Sequence, residues 1–161
     1  MGALNIGLRS HARLIALAAC FAVVPLAACG SDSDAATRPM SVSDAWALAT
    51  ATGQPNGAVY FTITSATEDT LERVSVSTSI ADHTELHQAV TTATGAMGMQ
   101  EMRAGVALDP GIAVAFTPGG SHVMLVDLVE PLVAGQMFDV TLEFARADSV
   151  TLPVAVVESA P

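Results

Sequence analysis

Phe138-Asp139-Val140-Thr141-Leu142-Glu143-Phe144 alternates apolar and polar residues without a break. A period of two sends Phe138, Val140, Leu142 and Phe144 to one face and the polar residues to the other, as in a strand that packs on one side and meets water on the other. The run 58–64 reads the same way, with Val59, Phe61 and Ile63 directed inward. Further short apolar or alternating runs predict strands at 41–48, 58–65, 71–77, 84–90, 97–102, 112–117, 122–128, 138–144 and 150–157. Turns are marked by Gln54-Pro55-Asn56-Gly57, Asp109-Pro110-Gly111, Pro118-Gly119-Gly120 and Ala134-Gly135. Valine and threonine enrichment favours strand over helix, although the alanine-rich stretch 45–52 also allows a helical turn. No internal repeat and no amphipathic helix of ordinary length is present. Eight or nine strands at this spacing predict an all-β domain, a two-sheet sandwich or a small Greek-key barrel.

The first 28 residues read as an export signal. Arg9, His11 and Arg13 form a basic start, and the apolar stretch 14–28 that follows is too short to span a bilayer as a helix. Leu26-Ala27-Ala28-Cys29-Gly30 resembles a lipoprotein cleavage site, with Cys29 as the lipidated residue. Leu17-Ala18-Ala19-Cys20 matches the same short pattern, but cleavage there leaves an apolar run of only six residues. Residues 29–39 form a flexible tether rich in Ser, Asp, Ala and Thr, and 40–161 form the domain. The expected location is the outer face of the cell membrane, held by lipid alone.

The mature part, 29–161, is long enough for one domain with its own core. It carries all sixteen acidic residues against four arginines (38, 73, 103 and 146) and no lysine, a formal charge of −12. Such a surface is a poor partner for nucleic acid or anionic lipid. Beyond Cys29 there is no cysteine. A disulfide, a cysteine nucleophile and a thiolate-based blue-copper site are therefore excluded from the domain.

One group of side chains stands out chemically. His122-Val123-Met124 lies on a strand behind Pro118-Gly119-Gly120, so His122 and Met124 share a face, roughly 6.6 Å apart. Upstream lie His87 and a methionine cluster at Met97, Met99 and Met102. Neutral imidazole and thioether together form a soft ligand set that best suits Cu(I), whereas zinc prefers thiolate or carboxylate to thioether. Taken singly, each residue has an ordinary reading. Methionine usually fills cores, Met40 and Met137 look like packing residues, His83 looks solvated at the start of its strand, and Trp46 and Tyr60 look like core or core-edge anchors.

The runs Glu85-Leu86-His87, Met97-Gly98-Met99 and Pro118-Gly119-Gly120-Ser121-His122-Val123-Met124-Leu125 resemble the periplasmic PCuAC copper chaperones. Those carry a His, a Met about ten residues on, and a His-x-Met roughly twenty-two beyond it. Ser43-Asp44-Ala45-Trp46, Ala58-Val59-Tyr60-Phe61-Thr62-Ile63 and Leu128-Val129-Glu130-Pro131-Leu132 also resemble family segments, so the likeness spans 41 to about 157. It implies an all-β Greek-key sandwich or small barrel, cupredoxin- or immunoglobulin-like, with His87, Met99, His122 and Met124 as ligands of a Cu(I) ion. Eleven residues lie between His87 and Met99, one more than usual, and the turn 91–95 absorbs it. Met97 shares a face with Met99 and is its rival, while Met102 falls on the opposite face. No His- and Met-rich tail follows, so no second site is expected. The implied role is capture of copper outside the cytoplasm and its delivery toward cytochrome c oxidase assembly, the recipient being an oxidase subunit or its assembly factor. Such a protein is not an enzyme, and no Ser-His-Asp or paired-carboxylate pattern argues otherwise. The competing readings are a copper-buffering lipoprotein and an immunoglobulin-like binding module without metal.

Overall fold

The computed structural model describes Met40–Pro161; the signal 1–28, Cys29 and the tether up to residue 39 lie outside the described residues. Ten strands follow one another: β1 (Met40–Leu48), β2 (Gly57–Ser65), β3 (Asp69–Val76), β4 (Ala81–Thr91), β5 (Met97–Glu101), β6 (Val106–Leu108), β7 (Ala113–Phe116), β8 (His122–Leu128), β9 (Met137–Phe144) and β10 (Val150–Val157). There is no helix among the described residues. Nine of the strands were legible as alternating or apolar runs. β6 was not, because three residues between Gly105 and Asp109 are too few to show a period. Gly105 is required there: its φ is 79° and a Cβ would stand 2.5 Å from the Leu71 carbonyl oxygen.

The strands hydrogen-bond in the order β5-β4-β8-β2-β1-β10-β9-β3-β6, with β7 joined to β2. β8 inserts between β4 and β2, and β1 runs parallel to β10 while the other named pairings are antiparallel. These non-consecutive neighbours give the Greek-key architecture expected. The sheet encloses one core. Val59, Phe61 and Ile63 from β2 meet Val123 and Leu125 from β8, Leu71 and Val74 from β3, and Val140 and Leu142 from β9. The opposite face of β4, β8 and β2 bears His87, His122 and Met124, and it carries the candidate site.

A bulge in β1 decides what that outer face contains. Met40 is buried and Val42 packs against the core. Strict alternation would send Trp46 inward as well. The register slips between Ser43 and Trp46, and Asp44 takes a positive φ of 53°. One extra residue reverses the faces. Ala47 turns into the core instead, and Trp46 pairs with Tyr60 on the outer side. Trp46 and Tyr60, expected as core or core-edge anchors, are thus half-buried on the outer face and not inside the core. Met137 is also no packing residue, being exposed.

Asp69, at the start of β3, pins the segment that follows β9. Its carboxylate accepts backbone hydrogen bonds from Thr70 (2.7 Å), Arg146 (3.0 Å) and Ala147 (2.9 Å). Burial alone would push its pKa up; the three N–H donors and the Arg146 charge outweigh that and hold it below the usual carboxylate value. A depressed folded-state pKa stabilises the fold above the unfolded value, about 3.9, and that contribution disappears as pH falls through the folded pKa. Asp69→Ala should cost about 1.5–3 kcal/mol at neutral pH. The gap between wild type and variant in urea melts should narrow below about pH 4; a gap independent of pH would contradict this assignment.

Candidate metal centre

The pairing of β4 with β8 sets His87 directly opposite His122. Their ring centroids are 5.7 Å apart at 70°. Residues opposed in an antiparallel pair share a face, so both imidazoles stand on the outer side. Met124, two residues beyond His122, joins them there, opposite Glu85 and Ala58. Across the other edge of β4, Ala89 opposes Met99 and Thr91 opposes Met97. The register thus places all four expected ligands, and the rival Met97, on one face. Met102 packs against the core, as its opposite parity requires.

Met99, His122 and Met124 line one open cleft of about 300 Å³, together with Tyr60, Gly119 and residues of the β1–β2 connection. Met97 does not line it, and its thioether lies 3.7 Å from the Thr91 hydroxyl. β5 and β8 are separated by β4, a span of about 10 Å, so the Met99 side chain must reach across that strand. Its partner there is Ala89, whose single methyl leaves the way clear. His87 does not line the cleft; it borders it through its ring contact with His122.

The turn before β8 presents His122. Thr117 N–H donates to the Ser121 carbonyl (2.8 Å), Gly120 N–H donates to the Thr117 carbonyl (2.9 Å), and Gly119 has a φ of 77°. That geometry aims the Gly120 carbonyl at His122 Nδ1, 3.2 Å away. A carbonyl only accepts, so Nδ1 carries the proton and Nε2 keeps its lone pair for a metal. His122 is 7% exposed. His87 is also largely covered; its Nε2 lies 2.8 Å from Glu85 Oε2, and its Nδ1 is buried without a hydrogen-bond partner.

The His122 side of the site is aromatic, whereas the His87 side carries the Glu85 carboxylate. Tyr60 stacks on Trp46 with centroids 4.4 Å apart and lies 6.5 Å from the His122 ring. Burial raises the Tyr60 pKa, so the phenol remains neutral. His83 sits inside β4 rather than at its start, and it is solvated as expected. The hydrogen bond to Asp82 (2.9 Å) chiefly raises its pKa, desolvation opposes that, and Glu85 (3.5 Å) adds to the rise. Among the described residues no group of three or more His, Cys, Asp and Glu side chains is placed to hold a metal ion. The candidate ligand set therefore depends on the methionines. Glu85 and Tyr60 were not foreseen as part of the site, though Glu85 stands two residues from His87 and period two alone puts it on the same face.

Residues 40–156 match the family described as "Putative lipoprotein LpqE-like". The chain belongs to the LpqE-like family. One relative in Leifsonia xyli subsp. xyli (strain CTCB07), "Putative lipoprotein Lxx21020", is 38% identical over 117 residues, covering 73% of this chain and 68% of its own. Among solved structures, the apo PCuAC domain from PmoF1 matches with a TM-score of 0.60 and 27% identity, over 77% of this chain and 96% of that one. The copper-bound PCuAC domain from PmoF2 matches with a TM-score of 0.60 and 25% identity, over 76% and 95%. Cu(I)-bound DR1885 from Deinococcus radiodurans shares the fold, at 23% identity and a TM-score of 0.57, over 78% and 84%. This LpqE-like domain is thus of the PCuAC type, with that group's cupredoxin-like β architecture.

Proposed function

We propose that this LpqE-like domain is an extracytoplasmic copper carrier that holds one Cu(I) ion through His87, Met99, His122 and Met124. The observation that carries the reading is the direct cross-strand pairing of two largely covered histidines whose shared face also bears both methionines. Two neutral imidazoles and two thioethers bring no charge of their own. A monovalent ion is then easier to hold in a partly desolvated site than a divalent one. Copper-bound and Cu(I)-bound relatives of the same fold support the choice of metal.

The openness of the cleft suits a cargo that must leave again. Met99 is 62% exposed while His122 is nearly covered, so ligand exchange with a recipient would begin at the thioether. Delivery toward cytochrome c oxidase assembly follows from the family likeness; undiminished oxidase activity in a strain lacking the gene would sink it and leave buffering as the role. Export and attachment through Cys29 follow from the signal-like first 28 residues and from the relatives' lipoprotein names. A Cys29→Ser chain that stayed with the membrane fraction would remove the anchor.

The ligand choice is tested by competition titration with a chromophoric Cu(I) chelator. Met99→Ala should weaken Cu(I) binding at least about tenfold, a loss of roughly 1.4 kcal/mol, whereas Met97→Ala should leave it within about twofold. The opposite ranking would hand the position to Met97. Equal binding by both variants would reduce the site to three ligands.

A further inference from the structure

We propose that Glu85 is a positioning residue that fixes His87 in its Nε2–H form, so that His87 meets the cargo ion through Nδ1 while His122 meets it through Nε2. The inference rests on the copper reading above but goes beyond the choice of ligands. It assigns opposite ring nitrogens to the two histidines and gives a role to a carboxylate outside the ligand set.

The geometry on each ring is specific. Glu85 Oε2 stands 2.8 Å from His87 Nε2. An ionised carboxylate only accepts, so the ring nitrogen facing it must carry the hydrogen. The remaining nitrogen, Nδ1, then bears the lone pair, and among the described residues it is the buried side-chain nitrogen or oxygen left without a hydrogen-bond partner. An unmatched buried acceptor costs free energy unless something satisfies it, and a soft cation beside it does. On His122 the arrangement is reversed, because the Gly120 carbonyl takes the Nδ1 hydrogen. Neighbours beyond the ligands commonly set ring tautomer and orientation in this way, and their removal typically costs 10–100-fold in metal affinity.

Glu85 is itself held in place. It opposes Met124 of the neighbouring β8, and its Oε1 lies 3.5 Å from His83 Nε2. One carboxylate therefore spans two histidines at i−2 and i+2 of the same strand face, one solvated and one covered. Leu86, between them, points to the core. A substitution at Glu85 consequently leaves the core packing alone.

The test has one arm that needs no copper. Long-range ¹H–¹⁵N correlation spectra of the metal-free protein, at about pH 8 where an ordinary histidine is neutral, report which ring nitrogen carries hydrogen. His87 should appear as the Nε2–H form in wild type and lose that preference in Glu85→Ala, with His122 unchanged as the Nδ1–H form. In the second arm, Cu(I) affinity by chelator competition should fall about 10–100-fold in Glu85→Ala and less in Glu85→Gln, whose amide oxygen still accepts. Thermal melts of both variants should match wild type. A wild-type His87 in the Nδ1–H form, or Glu85→Ala with undiminished affinity, would overturn the proposal. If the wild-type domain failed to bind Cu(I), the copper reading would fall, while the spectra would still decide the tautomer assignment.

Discussion

His122→Ala is expected to abolish Cu(I) retention while leaving the domain folded. His122 is the most covered of the proposed ligands, and its turn fixes which nitrogen it offers. It also lies between the other three: opposite His87, two residues from Met124, and in one cleft with Met99. Removing a directly bound nitrogen should exceed the 10–100-fold typical of losses beyond the ligands, so affinity should drop by more than about 100-fold. The fold should tolerate the change. The neighbours Val123 and Leu125 fill the core from the other face of β8, and the His122 hydrogen bond to Gly120 contributes only about 1 kcal/mol. Chelator competition and a thermal melt on the same sample check both halves. An unfolded variant, or a folded one that keeps its copper, would each contradict this account.

Phe116→Ala should be the most damaging single change to stability. Phe116 and Phe61 are each 2% exposed and stack with centroids 4.5 Å apart. Among the described strands β7 pairs with β2 alone, so Phe116 is the principal apolar tie holding it. Truncation in a packed core costs about 3–5 kcal/mol, a large share of the 5–15 kcal/mol that stabilises an ordinary domain. The effect should reach the site, because the turn that aims His122 begins at Thr117. In urea the midpoint should fall with the slope unchanged. A loss under about 1 kcal/mol would mean that this pair does not anchor β7.

Much of this was legible in the sequence because a strand writes its two faces as a period of two. The 138–144 and 58–64 runs named inward residues that the core contains. His122-Val123-Met124 announced a shared face for its first and third residues. The register between strands was not legible from period alone. The pairing of His87 with His122 joins residues far apart in sequence, and its expectation came from the family likeness, not from spacing. Trp46 sits at the edge and not in the core for a definite reason: the bulge at Asp44 inserts one residue and reverses the parity downstream, and alternation carries no mark of such an insertion. β6 failed because three residues carry too little pattern. What separates Met99 from Met97 in position is visible only in three dimensions. Both share a face, but one lines the cleft and the other does not.

The central claim is that two imidazole nitrogens and two thioether sulfurs meet at one copper ion. X-ray absorption on the domain loaded with one equivalent of Cu(I) reads that directly. The expected spectrum has a Cu(I) edge and a first shell of two nitrogen and two sulfur neighbours, with one sulfur lost in Met99→Ala and one in Met124→Ala. A shell of nitrogen and oxygen alone, with both methionine variants indistinguishable from wild type, would contradict it.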